Sequence, residues 1–313
     1  MDKKYVVGVD LGGTKIYTAL TDLDGNIIKE KVVKTEAEKG DMSVLAKMIE
    51  TVEYVIDGVN IDDIKAIGIG SPGPLDVKQG KIVYTPNLPF KDFNIVEPIQ
   101  ERFKLPTYLD NDANAATLGE FIFGAGKGTE NMVYVTCSTG IGGGAILNGK
   151  IFRGSTSNAL EVGHMTVCKE GLRCGCGNVG CAEAMGSGTA IMRKANEAIK
   201  TNVETSLKQY ENPTGKEVFE EAAKGDRVAN EILNSALSYL GIAVSNVANI
   251  FDPDMIVIGG GVASNWDVVS EKVSEEMRNR CLRMIFDNCK LEKAKLGNKA
   301  GVLGAAAIAI TEK

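Results

Sequence analysis

KYVVGVDLGGTKIYTALT, residues Lys4 to Thr21, decides the fold. Lys4 to Asp10 is an apolar run of buried-strand type, and Ile16 to Thr21 is a second one. Between them lie Leu11, Gly12, Gly13, Thr14 and Lys15. Asp24-Gly25-Asn26 then marks a hairpin turn, and Ile27 to Val33 is a third strand. A plain hairpin needs nothing as elaborate as Asp-x-Gly-Gly-Thr. Two glycines let backbone amides approach an anion closely, and the Thr14 hydroxyl adds a donor. Asp10, at the strand's end, suits a hydrated magnesium ion. MVYVTCSTGIGGGAIL, residues Met132 to Leu147, repeats the plan. Here a strand to Cys137 opens into a Gly/Thr-rich turn, Ser138 to Ala145, followed by strand Ile146-Leu147. Two copies imply an internal duplication, with two domains each offering a phosphate-cradling turn to a cleft between them.

The segments between follow an α/β rhythm. Ser43 to Asp57 carries Leu45, Met48, Ile49, Val52, Val55 and Ile56 at helical spacing, with Asp41 or Ser43 as the cap. Ile64 to Gly70 is a strand ending in Ser71-Pro72-Gly73-Pro74, at the edge where open α/β sheets bind ligands. Thr85 to Pro89 is an irregular loop, a candidate pocket wall. Leu105 to Leu109 is a short strand that delivers Asp110, Asn111, Asp112 and Asn114 to the start of a helix. One of these residues, Asn111 or Asp112, is expected to cap it. Capping does not need four polar residues, so a carboxylate here is a candidate general base. Helices are expected over Thr189–Ala198, Gly215–Ala223, Arg227–Ile250 and Trp266–Cys281. Met255 to Ile258 is a strand ending in Gly259-Gly260-Gly261, which leaves room for a flat ring such as adenine. A strand near Leu291 and a helix from Gly301 close the chain.

EVGHMTVCKEGLRCGCGNVGCAE, Glu161 to Glu183, holds the single histidine and four of the seven cysteines. His164, Cys174, Cys176 and Cys181 supply four ligands of the kind a structural zinc takes. Glycines interleaved among the cysteines fill no volume, so these residues make poor core. An odd cysteine count with no signal-like segment before the first strand favours a reduced, cytoplasmic compartment over disulfides. Cys168 is the spare thiol, placed by Val167 at a strand end.

The chain has 313 residues, room for two domains. Apolar residues make up 44% and charged residues 24%, ordinary for a globular protein. A net charge of -6 without a basic run argues against nucleic acid as a partner. No apolar run reaches the roughly 18 residues that a membrane span needs.

Asp10 to Thr14, Thr139 to Gly144 and Gly259 to Val262 together resemble the nucleotide site of the actin, Hsp70 and sugar-kinase superfamily. Glu161-Val162-Gly163-His164 with Cys174-Gly175-Cys176-Gly177, Gly180-Cys181 and Glu183 resembles the ROK family of sugar kinases and repressors, end to end and in motif order. Within it, the bacterial glucokinases are the nearest functional match. The resemblance implies two ribonuclease-H-like α/β domains with a cleft between: residues 1–111 plus 300–313, and residues 112–299 carrying the zinc loop. It implies transfer of the γ-phosphate of ATP to the 6-hydroxyl of glucose, or of N-acetylmannosamine, N-acetylglucosamine, fructose or allose.

Residue by residue, Asp112 matches the general base and Asn111, Glu161, His164 and Glu183 match sugar ligands. His164, Cys174, Cys176 and Cys181 match the zinc ligands. Asp10, Gly12, Gly13, Thr14 and Lys15 match the first phosphate segment, and Thr139 and Gly140 the second. Gly260 and Gly261 match nucleotide-binding glycines. ATP, magnesium and structural zinc are the implied cofactors, and a homodimer or homotetramer the implied assembly. Two positions depart from the family pattern. Leu160 stands where glycine is usual before the Glu-x-Gly-His motif, and Phe90 where tryptophan is common. Both bear on which sugar is chosen. A repressor would carry a helix-turn-helix before the first phosphate segment, where a strand is expected from Lys4.

Overall fold

The computed structural model describes residues 3–85 and 87–312. Pro86, within the expected Thr85–Pro89 loop, lies outside them, as do residues 1, 2 and 313 of the expected first domain. In chain order the elements begin β1 (Tyr5–Leu11), β2 (Lys15–Asp22), β3 (Ile27–Lys34), α1 (Asp41–Ile56), β4 (Ile64–Ser71), β5 (Leu75–Asp76), β6 (Lys81–Tyr84) and β7 (Lys91–Asn94). Next come α2 (Val96–Phe103), β8 (Thr107–Asn111), α3 (Asp112–Ile122), β9 (Met132–Cys137), β10 (Ile141–Leu147), β11 (Lys150–Ile151), α4 (Ala182–Gly186), α5 (Gly188–Ala198) and α6 (Gly215–Ala223). The chain ends with α7 (Arg227–Phe251), β12 (Met255–Gly259), α8 (Trp266–Arg280), α9 (Arg283–Asn288), β13 (Lys290–Lys293) and α10 (Ala300–Thr311).

Two compact units result. The first is Met1–Gly128, Lys150–Ala159 and Lys295–Lys313; the second is Thr129–Gly149 and Leu160–Ala294. The first unit's main sheet runs β3-β2-β1-β4-β8. Its first three strands are antiparallel, while β4 and β8 continue parallel to β1. In the second unit the order β10-β9-β12-β13 repeats that plan, with an antiparallel hairpin followed by parallel strands.

Each unit has its own core. Val7, Val9, Ile16, Met48, Ile67 and Ile69 are buried in the first. Val133, Val135, Ile191, Leu240, Val244 and Ile258 are buried in the second. The continuous apolar runs of β1, β4, β9 and β12 are those of strands covered on both faces. Helix α10 lies directly on β1 and β4. A side chain at Gly8 would meet the Val302 carbonyl at 2.3 Å, and one at Gly68 the Ala305 carbonyl at 2.0 Å. Only hydrogen at both positions lets the helix approach so closely.

That packing moves the expected domain boundary. The break expected at 111/112 falls at 128/129, because α3 packs on α10, with Gly304 against the Ala115 carbonyl. The return falls at 294/295 rather than 299/300, and residues 150–159 also join the first unit. Two local expectations change as well. Helix α1 has Gly40 as its N-cap with no side-chain cap bond, rather than Asp41 or Ser43. Ile141 to Gly144 are strand, so the second turn shrinks to Ser138–Gly140. The glycines there hold the ladder because β9 supplies every partner in register.

Candidate functional site

In the first unit the Gly-Gly turn closes by a Gly12 N–H bond to the Lys15 carbonyl at 3.0 Å. Thr35 braces it: its hydroxyl donates to the Gly12 carbonyl at 2.6 Å and its amide to the Thr14 carbonyl at 3.0 Å. A Cβ at Gly13 would stand 2.9 Å from the Asn87 Cβ, so the expected pocket loop does touch the turn. The Lys15 ammonium sits 5.5 Å above the Tyr17 ring. Asp10 ends beside the first turn of α10, with its carboxylate where a Gly301 side chain would be. Burial pushes its carboxyl up to about 6; Lys15 pulls it down and the nearby Asp112 carboxylate pushes it further up.

Asn111 is the N-cap of α3, its Oδ1 accepting the Ala113 N–H at 2.9 Å. Asp112 Oδ1 accepts the same N–H at 2.8 Å. Its carboxyl is pushed above the ordinary range by surrounding protein displacing water, against the pull of Ala113 and Asn111. Solvent reaches the carboxylate, and screening opposes that push.

Sequence reading missed what holds this turn. Asp110 is fully buried and accepts from the Asn114 side chain at 2.9 Å and from Arg153 Nε at 2.7 Å. Arg153 also binds Glu312. The guanidinium stays charged, its pKa raised by both carboxylates in spite of its burial. These partners lie 43 and 159 residues from Arg153, so no local pattern announces them.

In the second unit the four expected metal ligands converge. One donor atom each from His164, Cys174, Cys176 and Cys181 lies within 4.8 Å of all the others. His164 Nδ1 is 3.7 Å from Cys174 Sγ, and Cys176 Sγ is 3.7 Å from Cys181 Sγ. A zinc ion bound tetrahedrally at ordinary bond lengths has edges of roughly 3.6–3.8 Å, so the donor set fits it. All seven cysteines are free thiols. Burial pushes Cys181 up to about 12, while the Asn178 amide holds exposed Cys176 below its usual range. Cys168 stands apart, its thiol 3.8 Å from the Tyr239 hydroxyl.

Glu161 Oε2 lies 3.9 Å from His164 Nε2, on the ring edge opposite the cysteines. Glu183 Oε2 accepts the Ile141 N–H at 3.0 Å, beside Gly140. Gly260 has a positive φ of 86°, and a Cβ there would strike the Cys137 carbonyl at 2.3 Å. Gly261 faces Ser138 and lines a cavity of about 680 Å³ together with Thr139, Thr189, Met192, Lys216 and Phe219. The α5 and α6 walls of that cavity were not foreseen, since their residues carry no motif.

The departures have physical readings. Leu160 adopts a left-handed φ of 63°, a conformation glycine enters freely, and its side chain packs on the second unit's core. Phe90 is buried against Phe93, with centroids 4.9 Å apart.

A family model described as the ROK family matches residues 6–312. The chain belongs to the ROK family. Among family members it is 36% identical to a glucokinase of Halalkalibacterium halodurans, over 97% of this chain and 94% of the other. The xylose repressor of Caldicellulosiruptor bescii is 31% identical, over 98% of this chain and 78% of the repressor. Among solved family structures, a ROK hexokinase from Thermus thermophilus matches with a TM-score of 0.82 and 38% identity, over 97% of each chain. A Streptomyces griseus ROK glucokinase in complex with glucose and AMPPNP matches with a TM-score of 0.79 and 32% identity, over 98% of this chain and all of that one. No described helix is long and apolar enough to cross a membrane.

Proposed function

We propose that this chain is an ATP-dependent glucose kinase. The observation that carries the reading is end-to-end similarity to a family glucokinase that holds glucose and AMPPNP, together with an accessible carboxylate, Asp112, at the N-terminus of α3. Asp112 accepts the proton of the glucose 6-hydroxyl as that oxygen attacks the γ-phosphorus of ATP; the bond to the bridging oxygen breaks and ADP leaves. Asn111 caps α3 beside that carboxylate, both side chains accepting the Ala113 N–H, and faces the sugar. Amides of Gly12–Lys15 and of Thr139–Gly140 receive phosphate oxygens. The cavity beside Gly261 takes the adenine. Glu161, His164 and Glu183 bind the remaining sugar hydroxyls.

Asp10 is the residue that would hold magnesium, whose positive charge offsets that of the phosphates. His164, Cys174, Cys176 and Cys181 would hold a structural zinc, leaving no position open for water. Metal on His164 Nδ1 leaves Nε2 as a donor, free for a sugar oxygen or Glu161.

The test is ADP release by purified protein with ATP, magnesium and a panel of sugars. Glucose should give the highest kcat/KM. Faster turnover of N-acetylmannosamine, N-acetylglucosamine, fructose or allose would reassign the substrate, and no release with any sugar would remove the kinase reading.

A further inference from the structure

The segment that follows the metal ligands is also the brace of the second glycine turn. Glu183, two residues beyond Cys181 in the first turn of α4, accepts the Ile141 N–H at 3.0 Å through Oε2. That oxygen fills the space a Gly140 side chain would need, at 2.3 Å. Its other oxygen lies 3.9 Å from the thiol of Cys174. Three further ties come from the same segment. Gly188 N–H donates to the Ser138 carbonyl at 2.7 Å, and Thr189 N–H to the Thr139 carbonyl at 3.3 Å. The Cys137 thiol faces the Gly186 carbonyl at 3.6 Å.

We propose that Glu183 is a positioning residue for nucleotide: it sets the Ser138–Ile141 turn, so occupancy of the four-donor cluster governs nucleotide affinity. This rests on the nucleotide role given above to Thr139 and Gly140. The charge of Glu183 is the informative detail. A carboxylate beside a phosphate-binding turn repels the ligand through space, so it is useful there for the bond it accepts. Glutamine keeps an acceptor and drops the charge, whereas alanine loses both.

The experiment measures binding of Mg·ADP without sugar, by titration calorimetry, to metal-loaded wild type, E183A and E183Q, and to wild type stripped by a chelator. Metal content and circular dichroism are recorded for each. We expect roughly ten-fold weaker binding by E183A, as for loss of a hydrogen bond to a charged acceptor, and E183Q within about two-fold of wild type. Stripped wild type should weaken at least as much as E183A, with the first unit's fold intact. Equal affinity of E183A and wild type overturns the inference, as does E183Q as weak as E183A, or full affinity in stripped protein. Each leaves the kinase reading standing. Wild type that binds no ADP overturns the nucleotide role itself, and this inference with it.

Discussion

The two glycine turns share one plan and are secured by different means. Leu11–Lys15 is braced by Thr35, on the segment leaving β3, and abuts Asn87, so its supports belong to the sheet's own connections. Ser138–Ile141 is braced by residues 183–189, which directly follow the His164, Cys174, Cys176 and Cys181 donor cluster in the chain. The repeated motif thus has one copy braced from within its own sheet's connections and one braced by the segment that follows the four-donor cluster. The first unit secures its Asn111–Asp112 turn in yet another way, by the ion pair of half-buried Arg153 with buried Asp110.

The largest expected effect would sharpen this division by placing proton transfer in the first unit alone. Asp112→Asn should lower kcat by about 10²–10⁴-fold, with calorimetric affinities for glucose and Mg·ADP unchanged. A variant keeping more than a tenth of wild-type kcat would break the assignment.

Next come the two supports, tested one against the other by scanning calorimetry. Cys176→Ser, or chelation, should lower the second unit's transition by on the order of 10 °C and leave the first unit's in place. Arg153→Met should do the reverse, costing the first unit about 3–5 kcal/mol because buried Asp110 loses its cationic partner. If both variants shift both transitions equally, the supports are not separate.

A smaller effect concerns protons. Asp10 titrates at about 6 when folded, against 3.8 ordinarily. Between those values the folded protein keeps a proton that the unfolded chain releases, so this group's contribution to stability fades as pH rises through that window. Magnesium needs the carboxylate, so Mg·ADP binding near pH 6 should release protons, seen as a calorimetric heat that varies with buffer. The release should vanish above pH 8 and in Asp10→Asn; persistence in that variant would exclude Asp10 as the source. Smallest of all, Leu160→Gly removes roughly 1 kcal/mol of left-handed strain but also its side-chain packing. Unfolding free energies from urea titration should then differ by under about 1 kcal/mol, and a larger loss would make the packing dominant.

Much of this was legible in the residues. Apolar runs ending in Gly-Gly or Thr-Gly marked both hairpins, and sulfur spacing marked the four donors that converge. What escaped was non-local. Arg153 lies in a polar stretch with nothing nearby to mark its partners. Ile141–Gly144 reads as a turn because glycine weakens strands, and becomes strand only because β9 answers it residue for residue. Helix α3 was cut from its own unit because α10, the helix it packs on, is almost two hundred residues away in the chain.

That last helix bears on how the molecule is made. The bare tracks at Gly8 and Gly68 receive α10 only after the whole second unit has been made. During synthesis the unit begun first is therefore the one finished last. Its β1–β4 face waits uncovered while the second unit emerges whole, and a ribosome stalled before residue 300 would display one finished unit and one still open.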